Sequence, residues 1–352
     1  MRILLIEPLE PLVLSRTPIV SHEFIASSHS VLSTPPQTTV SGLLGLIHGV
    51  DLEAYKNLDH AGLLGKLVEE LGNRGCKKPV FKGPLVLFKN FSSEPYVCLG
   101  ELCAPLNKIR REGGALKAYI DRADCIECVE LKVEERIGVK LVRGYGGAVE
   151  KVVDMGYMYR YSTVRYERVD GGGSVAPTFV YTLNCDSEIK PDVHRVGGEG
   201  RMAKVEAIDV KKEPKKLPER VVEALKRLKN PMEVEERALY LAVTPIPLVP
   251  EANKASQLIL DLDKPNLLGL EFVEEVIGII PLKRDAKPKR RVERLSLGYS
   301  EVLKARRPQI LALPIGTIVK TRKPEKTEEI IETLWNIGLP TLLELYPSSS
   351  MI

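Results

Sequence analysis

The chain of 352 residues carries a formal net charge of +4, with 28% charged and 44% hydrophobic residues. This balance excludes a disordered chain, and the length predicts roughly two domains, each large enough for its own core. No apolar run approaches the roughly 18 residues that span a membrane, and the first, Ile3–Ile6, stops at Glu7, so neither a span nor a targeting segment is expected and the predicted location is cytoplasmic.

In chain order, Arg2–Leu14 reads as a strand running into prolines, and Ser21–Pro36 as a loop rich in Ser and Thr. Thr38–Val50 reads as a helix with Thr38 or Thr39 as its cap, and Lys56–Gly72 holds a second helix. From Val80 to Asp209 the pattern is mostly short strands with Gly and Pro breaks, and Asp170–Ser174 is a hairpin tip. Leu217–Lys229 reads as helix and Pro231 as a boundary. Then follow strand Ala238–Pro245, a helix near Gly269–Val276, strands Val276–Leu282 and Ile310–Lys320, helix Pro324–Ile337 and strand Thr341–Tyr346. Strand, helix, strand, strand, helix, strand is the ferredoxin-like order. The expected fold class is α+β: a ferredoxin-like unit with inserted strands over residues 1–230, and a second over 231–352.

Within the first unit, Arg195–Ile208 (RVGGEGRMAKVEAI) packs three glycines into four residues. Gly198–Ala203 matches the dinucleotide fingerprint G-x-G-x-x-G/A, which works only where a helix starts at the glycines and its free N–H groups hold the pyrophosphate. Here Ala203, Val205 and Ala207 alternate with Lys204 and Glu206, the period of a strand. The pattern argues against a nucleotide loop and for a glycine turn opening a strand, with Arg195, Arg201 and Lys204 near it.

Charge is unevenly distributed. Lys283–Arg307 holds ten basic residues against three acidic ones, and Arg136–Arg168 seven against three. The second window also holds Tyr145, Tyr157, Tyr159, Tyr161 and Tyr166. Cations hold phosphates and rings stack on bases, so this interleaving suits single-stranded nucleic acid; a tyrosine face packed on the core is the plainer alternative. The basic arm Lys283–Arg307 suits contact with RNA or with an acidic partner, against a solvated, salt-bridged surface. Abundant Lys, Arg and Glu with scarce Gln suit a hyperthermophile.

Cys98, Cys103, Cys125 and Cys128 form C-x4-C and C-x2-C pairs separated by 21 residues. Two close thiolate pairs at this spacing can hold a structural zinc. Disulfides and plain core packing stay open as alternatives. The P-loop, H-E-x-x-H and G-x-S-x-G patterns do not occur, and Asp261-x-Asp263 by itself reads as a turn.

Five landmarks in order carry a resemblance: TPPQTTVSGLLG at the first helix, ERIGVKL (Glu134–Leu141), DMGYMYRYSTVRY (Asp154–Tyr166), RVGGEGRMAKVE (Arg195–Glu206) and RPQILALPIGTIV (Arg307–Val319). Over nearly its whole length the chain resembles the RAMP superfamily of CRISPR proteins, and within it the third subunit of type III-B Cmr complexes. The resemblance implies two ferredoxin-like, RRM-like domains and a non-catalytic, RNA-binding role in antiviral defence. The expected partners are the 5′ handle of the guide RNA, the large polymerase-like subunit and a backbone RAMP subunit, with no membrane and no DNA contact by this chain alone. It implies RNA contacts from Thr38, Thr39 and Ser41, from Arg143, Arg160 and Arg165, and from Arg195, Gly197, Gly198, Gly200, Arg201 and Lys204. In such folds a glycine turn lets the RNA backbone come close because no Cβ intervenes, and arginines add charge-assisted bonds. Two stretches depart from the pattern: Leu43–Leu46 stands where relatives often place an arginine, and Ile337-Gly338-Leu339-Pro340 has one glycine in place of a glycine-rich loop. The alternative within the superfamily is a metal-independent endoribonuclease cutting guide precursors, for which His48 and His194 are the candidate acid–base groups. No cofactor is required by either reading.

Overall fold

The computed structural model describes residues 1–14, 32–112, 117–142, 152–197, 200–250, 267–324 and 327–345. Strand β1 (Arg2–Pro8) has four consecutive apolar residues, Ile3 to Ile6, each 4% exposed or less. Such a run is the mark of a strand covered on both faces. After it come α1 (Gln37–Ile47), α2 (His60–Asn73), β2 (Cys76–Phe88), the hairpin β3 (Tyr96–Leu99) and β4 (Leu102–Pro105), and a small ribbon of β5 (Arg110–Glu112) with β6 (Lys117–Tyr119). The long pair β7 (Val129–Val142) and β8 (Val152–Arg168) follows, then β9 (Pro177–Cys185), β10 (Asp192–Arg195) and β11 (Met202–Asp209). Apart from the β5–β6 ribbon these strands form one nine-stranded sheet, ordered β10-β11-β1-β9-β2-β3-β4-β7-β8. Every named neighbour pair is antiparallel.

Helix α3 (Glu219–Lys226) and the short β12 (Leu228–Lys229) lead into the second half. It contains β13 (Leu239–Ala242), β14 (Ile246–Pro250), β15 (Leu267–Leu268), β16 (Val273–Ile279), β17 (Glu293–Ser296), β18 (Tyr299–Ser300), β19 (Ala305–Arg306), β20 (Gln309–Leu313), β21 (Thr317–Thr321), α4 (Glu329–Asn336) and β22 (Leu342–Glu344). A five-stranded sheet runs β12-β22-β13-β21-β16, and a four-stranded one β15-β14-β20-β17. The mixture of helices and antiparallel sheets agrees with the expected α+β class.

Two details of strand order stand out. In the first half, the central strands read β11-β1-β9-β2, with α1 and α2 in the crossover from β1 to β2. In the second, they read β22-β13-β21-β16, with α4 in the crossover from β21 to β22. Alternate residues of both sheets feed the same two cores. Leu4, Ile6, Tyr240 and Ala242 join the layer packed by Leu43, Leu67 and Trp335 of the helices α1, α2 and α4. Ile3, Leu5, Leu239 and Leu241 join the layer packed by Val221 and Leu225 of α3. The period-two alternation of a strand thus connects both halves above and below.

Several expected elements change. Helix α1 starts at Gln37 with Pro36 as its extended cap residue, and no side chain caps it. Thr38 is not the cap because its hydroxyl is turned to the Leu297 carbonyl, 2.8 Å away. The expected helix near Gly269–Val276 is replaced by a turn and the start of β16. Val273 and Val276, both buried and three apart, imitate a helix face; the register of β16 on β21 slips between Val273 and Glu275 and again between Val276 and Gly278, so bulges create the spacing. β7 and β8, at 14 and 17 residues, are far longer than the short strands expected. α2 carries its cap as a helix should, with Asp59 accepting the Gly62 N–H at 2.7 Å. Among the described residues no helix is long and apolar enough to cross a membrane.

Candidate nucleic-acid interface

Residues 32–38, which lead into α1, are tied to four separate parts of the chain. The Leu32 N–H donates to Leu14 O at 2.7 Å, the Tyr166 hydroxyl donates to Ser33 O, Gln37 Nε2 donates to Gly83 O at 3.0 Å, and Thr38 Oγ1 donates to Leu297 O. A narrow cleft opens beside them, lined by Pro36, Gln37, Thr38, Thr244, Leu297 and Leu339 among others. Thr38 and Ser41 are buried, and Ser41 Oγ donates to Thr38 O at 3.1 Å. Both hydroxyl protons are engaged inside the protein, Thr38 in the cleft wall and Ser41 one turn further along the helix. Thr39 is half-buried.

The glycine turn joins β10 to β11, with Arg195 paired to Met202 at its base and the Val196 N–H donating to Arg201 O at 2.7 Å. Gly197 has φ +79°, and a Cβ there would stand 2.8 Å from the Val13 carbonyl oxygen. Glycine is therefore required by the approach of the chain after β1 and by the left-handed backbone, without any ligand. Gly200 also has positive φ, +61°; Gly198 lies outside the described residues. Arg201 is 14% exposed at its side chain, and its Nη1 donates to Glu10, whose other oxygen accepts the Met202 N–H at 3.1 Å. The hydrogen bond from Arg201 holds the Glu10 carboxyl below its usual pKa, helped by the Met202 N–H. Arg201 thus fastens the turn to the segment after β1. Lys204 lies 3.7 Å from Glu206, a buried carboxylate also held by Lys216 at 3.0 Å. Arg195 is exposed, its chain running past Gly200.

On the long ribbon, Arg165 is exposed and donates to Glu134 at 2.6 Å, while Arg136 reaches the other oxygen of Glu134 at 3.2 Å. Arg160 stands opposite Ile137 in the ladder; its side chain and those of Tyr157, Tyr159 and Tyr161 are outside the description, as are Arg143 and Tyr145 entirely. Tyr166 is core: its ring packs on Phe88 and Phe179 with centroids 5.6 and 6.4 Å away, and burial pushes its hydroxyl pKa far up. For this tyrosine the plainer reading holds.

The basic arm differs from both regions. It is anchored where Gly278 (φ +133°) lets Pro288 and Lys289 cross β16, with the Ile279 N–H donating to Lys289 O at 2.9 Å. Arg290 lies 3.6 Å from Glu275 and Arg291 3.7 Å from Glu293. Lys283, Lys287, Lys289 and Arg294 are exposed with no carboxylate paired to them among the described residues. Tyr299, 47% exposed, lies further along the arm. Arg307, counted from sequence only as part of the basic window, ends half-buried beside the cleft. The available signal was its place at the end of the densest run of cations, before an apolar strand.

The cysteines stand as three buried disulfides. Cys76–Cys185 joins β2 to β9, Cys98–Cys103 joins β3 to β4, and Cys125–Cys128 closes the turn before β7. A four-thiolate zinc needs the last four sulfurs around one point. Here the Cys98–Cys103 pair packs in the core layer under α1, and the Cys125–Cys128 pair in the layer under α3. Among the described residues one group of metal-ligand type converges, His48 with Cys76 and Cys185, and its two sulfurs are bonded to each other. Burial, with Arg74 nearby, holds the His48 pKa below its usual value. His48 caps the end of α1, whereas His194 lies on β10 with Asp192 at 3.9 Å. No described contact brings the two histidines into one acid–base pair. Asp261 and Asp263 lie outside the described residues.

No family model matches the sequence, and no curated protein does. Solved structures do match. A chain of the type III-B Cmr-beta complex bound to cognate target RNA aligns over 98% of this chain and 97% of that one, with a TM-score of 0.57 and 18% identity. A chain of the same kind of complex, bound to cognate target RNA and AMPPnP (state 1), aligns over 91% and 86%, with a TM-score of 0.53 and 18% identity. At this identity the likeness is one of fold: the chain has the architecture of a Cmr-beta complex chain from end to end.

Proposed function

We propose that this protein is a non-catalytic RNA-binding subunit of a type III-B Cmr effector complex, holding the 5′ handle of the guide RNA between the large polymerase-like subunit and a backbone RAMP subunit. The observation that carries the reading is fold likeness over 98% of this chain and 97% of a chain whose complex binds cognate target RNA. The repeated strand orders β11-β1-β9-β2 and β22-β13-β21-β16 support two ferredoxin-like units, each keeping one of its two helical crossovers among the described residues. The exposed Lys283, Lys287, Lys289 and Arg294 of the arm, unpaired among the described residues, supply what phosphate binding needs. Among the described residues His48 contacts Cys76 and Ser187 while His194 faces Asp192, and these separate partners favour a binding role over the endoribonuclease alternative.

The test is co-expression with the other Cmr subunits of the same genome and a guide RNA. The chain should co-purify in the complex, crosslink to the first nucleotides of the guide, and leave repeat RNA uncut when assayed alone. Exclusion from the assembled complex would end the subunit reading. Specific cleavage lost in His48→Ala or His194→Ala would replace it with the nuclease.

A further inference from the structure

The corner where the basic arm ends holds a charge that no group among the described residues answers. After β19 the chain returns to Gly298: the Arg307 N–H donates to Gly298 O at 2.8 Å, and Arg307 Nη1 donates to Leu297 O at 3.2 Å. That same carbonyl accepts the Thr38 hydroxyl at 2.8 Å. Guanidinium and first turn of α1 therefore meet on one oxygen, whose two lone pairs are then used. A guanidinium has five N–H donors in a fixed fork, and the rest of this fork has no acceptor among the described residues. Among the described residues no carboxylate sits beside it, and burial draws its pKa down. Arginine stays protonated in proteins, so the cost of half-burying it cannot be relieved by neutralisation. An anion would relieve it.

The surroundings suit one. α1 begins with neither an acidic residue in its first turn nor a side-chain cap, so its own first turn does not compensate the positive end of its dipole. Gly298 has φ +87°, and a Cβ there would lie 3.8 Å from Arg307 Nη1 and 3.9 Å from Thr38 Oγ1. A side chain there would touch both, so the glycine keeps only a methyl-sized gap beside the guanidinium and the helix. The exposed cations Lys287, Lys289 and Arg294 precede this corner on the same arm.

We infer that Arg307 holds one backbone phosphate of a single-stranded RNA beside the start of α1, with Thr38 fixing the Leu297 carbonyl that orients the guanidinium. The inference rests on the RNA-binding reading above and adds to it a specific phosphate subsite outside the glycine turn.

The experiment measures anisotropy of a labelled single-stranded guide RNA, with the full chain and with the assembled complex, from low to high salt, beside ligand-free thermal melts. Arg307→Gln should bind about tenfold more weakly, with a salt slope shallower by about 0.7, the increment for one phosphate. Its ligand-free melting midpoint should equal or exceed that of the wild type, because an unanswered half-buried charge is gone. Arg307→Lys keeps the charge but loses the fork, so it should bind at an intermediate level; if Arg307→Gln does not fold, wild-type affinity in Arg307→Lys overturns the inference. Wild-type RNA binding together with unchanged binding and slope in Arg307→Gln overturns the subsite and leaves the RNA-binding reading standing. A lower melting midpoint with unchanged affinity makes Arg307 a clamp on Leu297 only. A wild-type protein that binds no RNA, free or assembled, overturns both.

Discussion

The two halves share a strand order and differ in what they do with their arginines and lysines. In the first half the prominent cations face carboxylates: Arg201 with Glu10, Arg165 with Glu134, Lys204 and Lys216 with Glu206, Arg220 with Glu94. In the second half the arm pairs Arg290 with Glu275 and Arg291 with Glu293, but leaves Lys283, Lys287, Lys289 and Arg294 exposed and Arg307 half-buried with no carboxylate paired to them among the described residues. Residue counts alone make both windows look basic. The difference teaches that the density of positive charge along a chain is not its availability, which is set by the partner that the fold brings across the ladder.

The largest test concerns whether the halves are separable at all. Trp335 of α4 is fully buried, with its ring 5.8 Å from Phe272 and in the core layer that both sheets share. Trp335→Ala should cost about 3–5 kcal/mol and lower one common melting transition. Two transitions, with only the second-half one shifted, would break the picture of shared cores. Next is the contrast in charge. The triple reversal Lys287→Glu/Lys289→Glu/Arg294→Glu touches exposed side chains, so the melt should move little while RNA affinity falls about a hundredfold and the salt slope by about 2. Unchanged affinity would remove the arm from the RNA path.

Smaller effects sharpen the first-half side. Gly197→Val must push against the Val13 carbonyl and hold a branched residue at positive φ, costing about 1–3 kcal/mol. Its RNA affinity per folded molecule should not change, and a loss there would return Gly197 to the interface. Arg201→Ala should cost about 1–2 kcal/mol by leaving Glu10 without its guanidinium donor, with no change in salt slope. The pH dependence follows from the lowered pKa of Glu10. Its stabilisation is complete above the ordinary value of 4.5 and is lost as pH falls through the lowered folded value. Melts of wild type and Arg201→Ala should therefore differ at pH 7 and converge in strong acid; a gap that persists there would mean that Arg201 acts through packing.

Sequence by itself determined what depends on local pattern. The stretch from Arg2 announced the first strand, and the alternation Ala203, Val205, Ala207 announced β11 and argued against a nucleotide helix. The periodicity of α2 and α4 placed both helices, and the strand-and-helix order gave the α+β class, because side-chain period is a property of the backbone itself. Tertiary structure decided the rest. The bulges of β16 disguised a strand as a helix, since a bulge exists only against a partner strand. Thr38 lost its role as cap to the distant carbonyl of Leu297. Gly197 answers to Val13, Arg201 to Glu10, and Cys98 to Cys103 in a different core layer from Cys125 and Cys128. Whether a cation is neutralised or left for a ligand depends on which residues hundreds of positions away come within a few ångströms, and no local pattern in one chain encodes that distance.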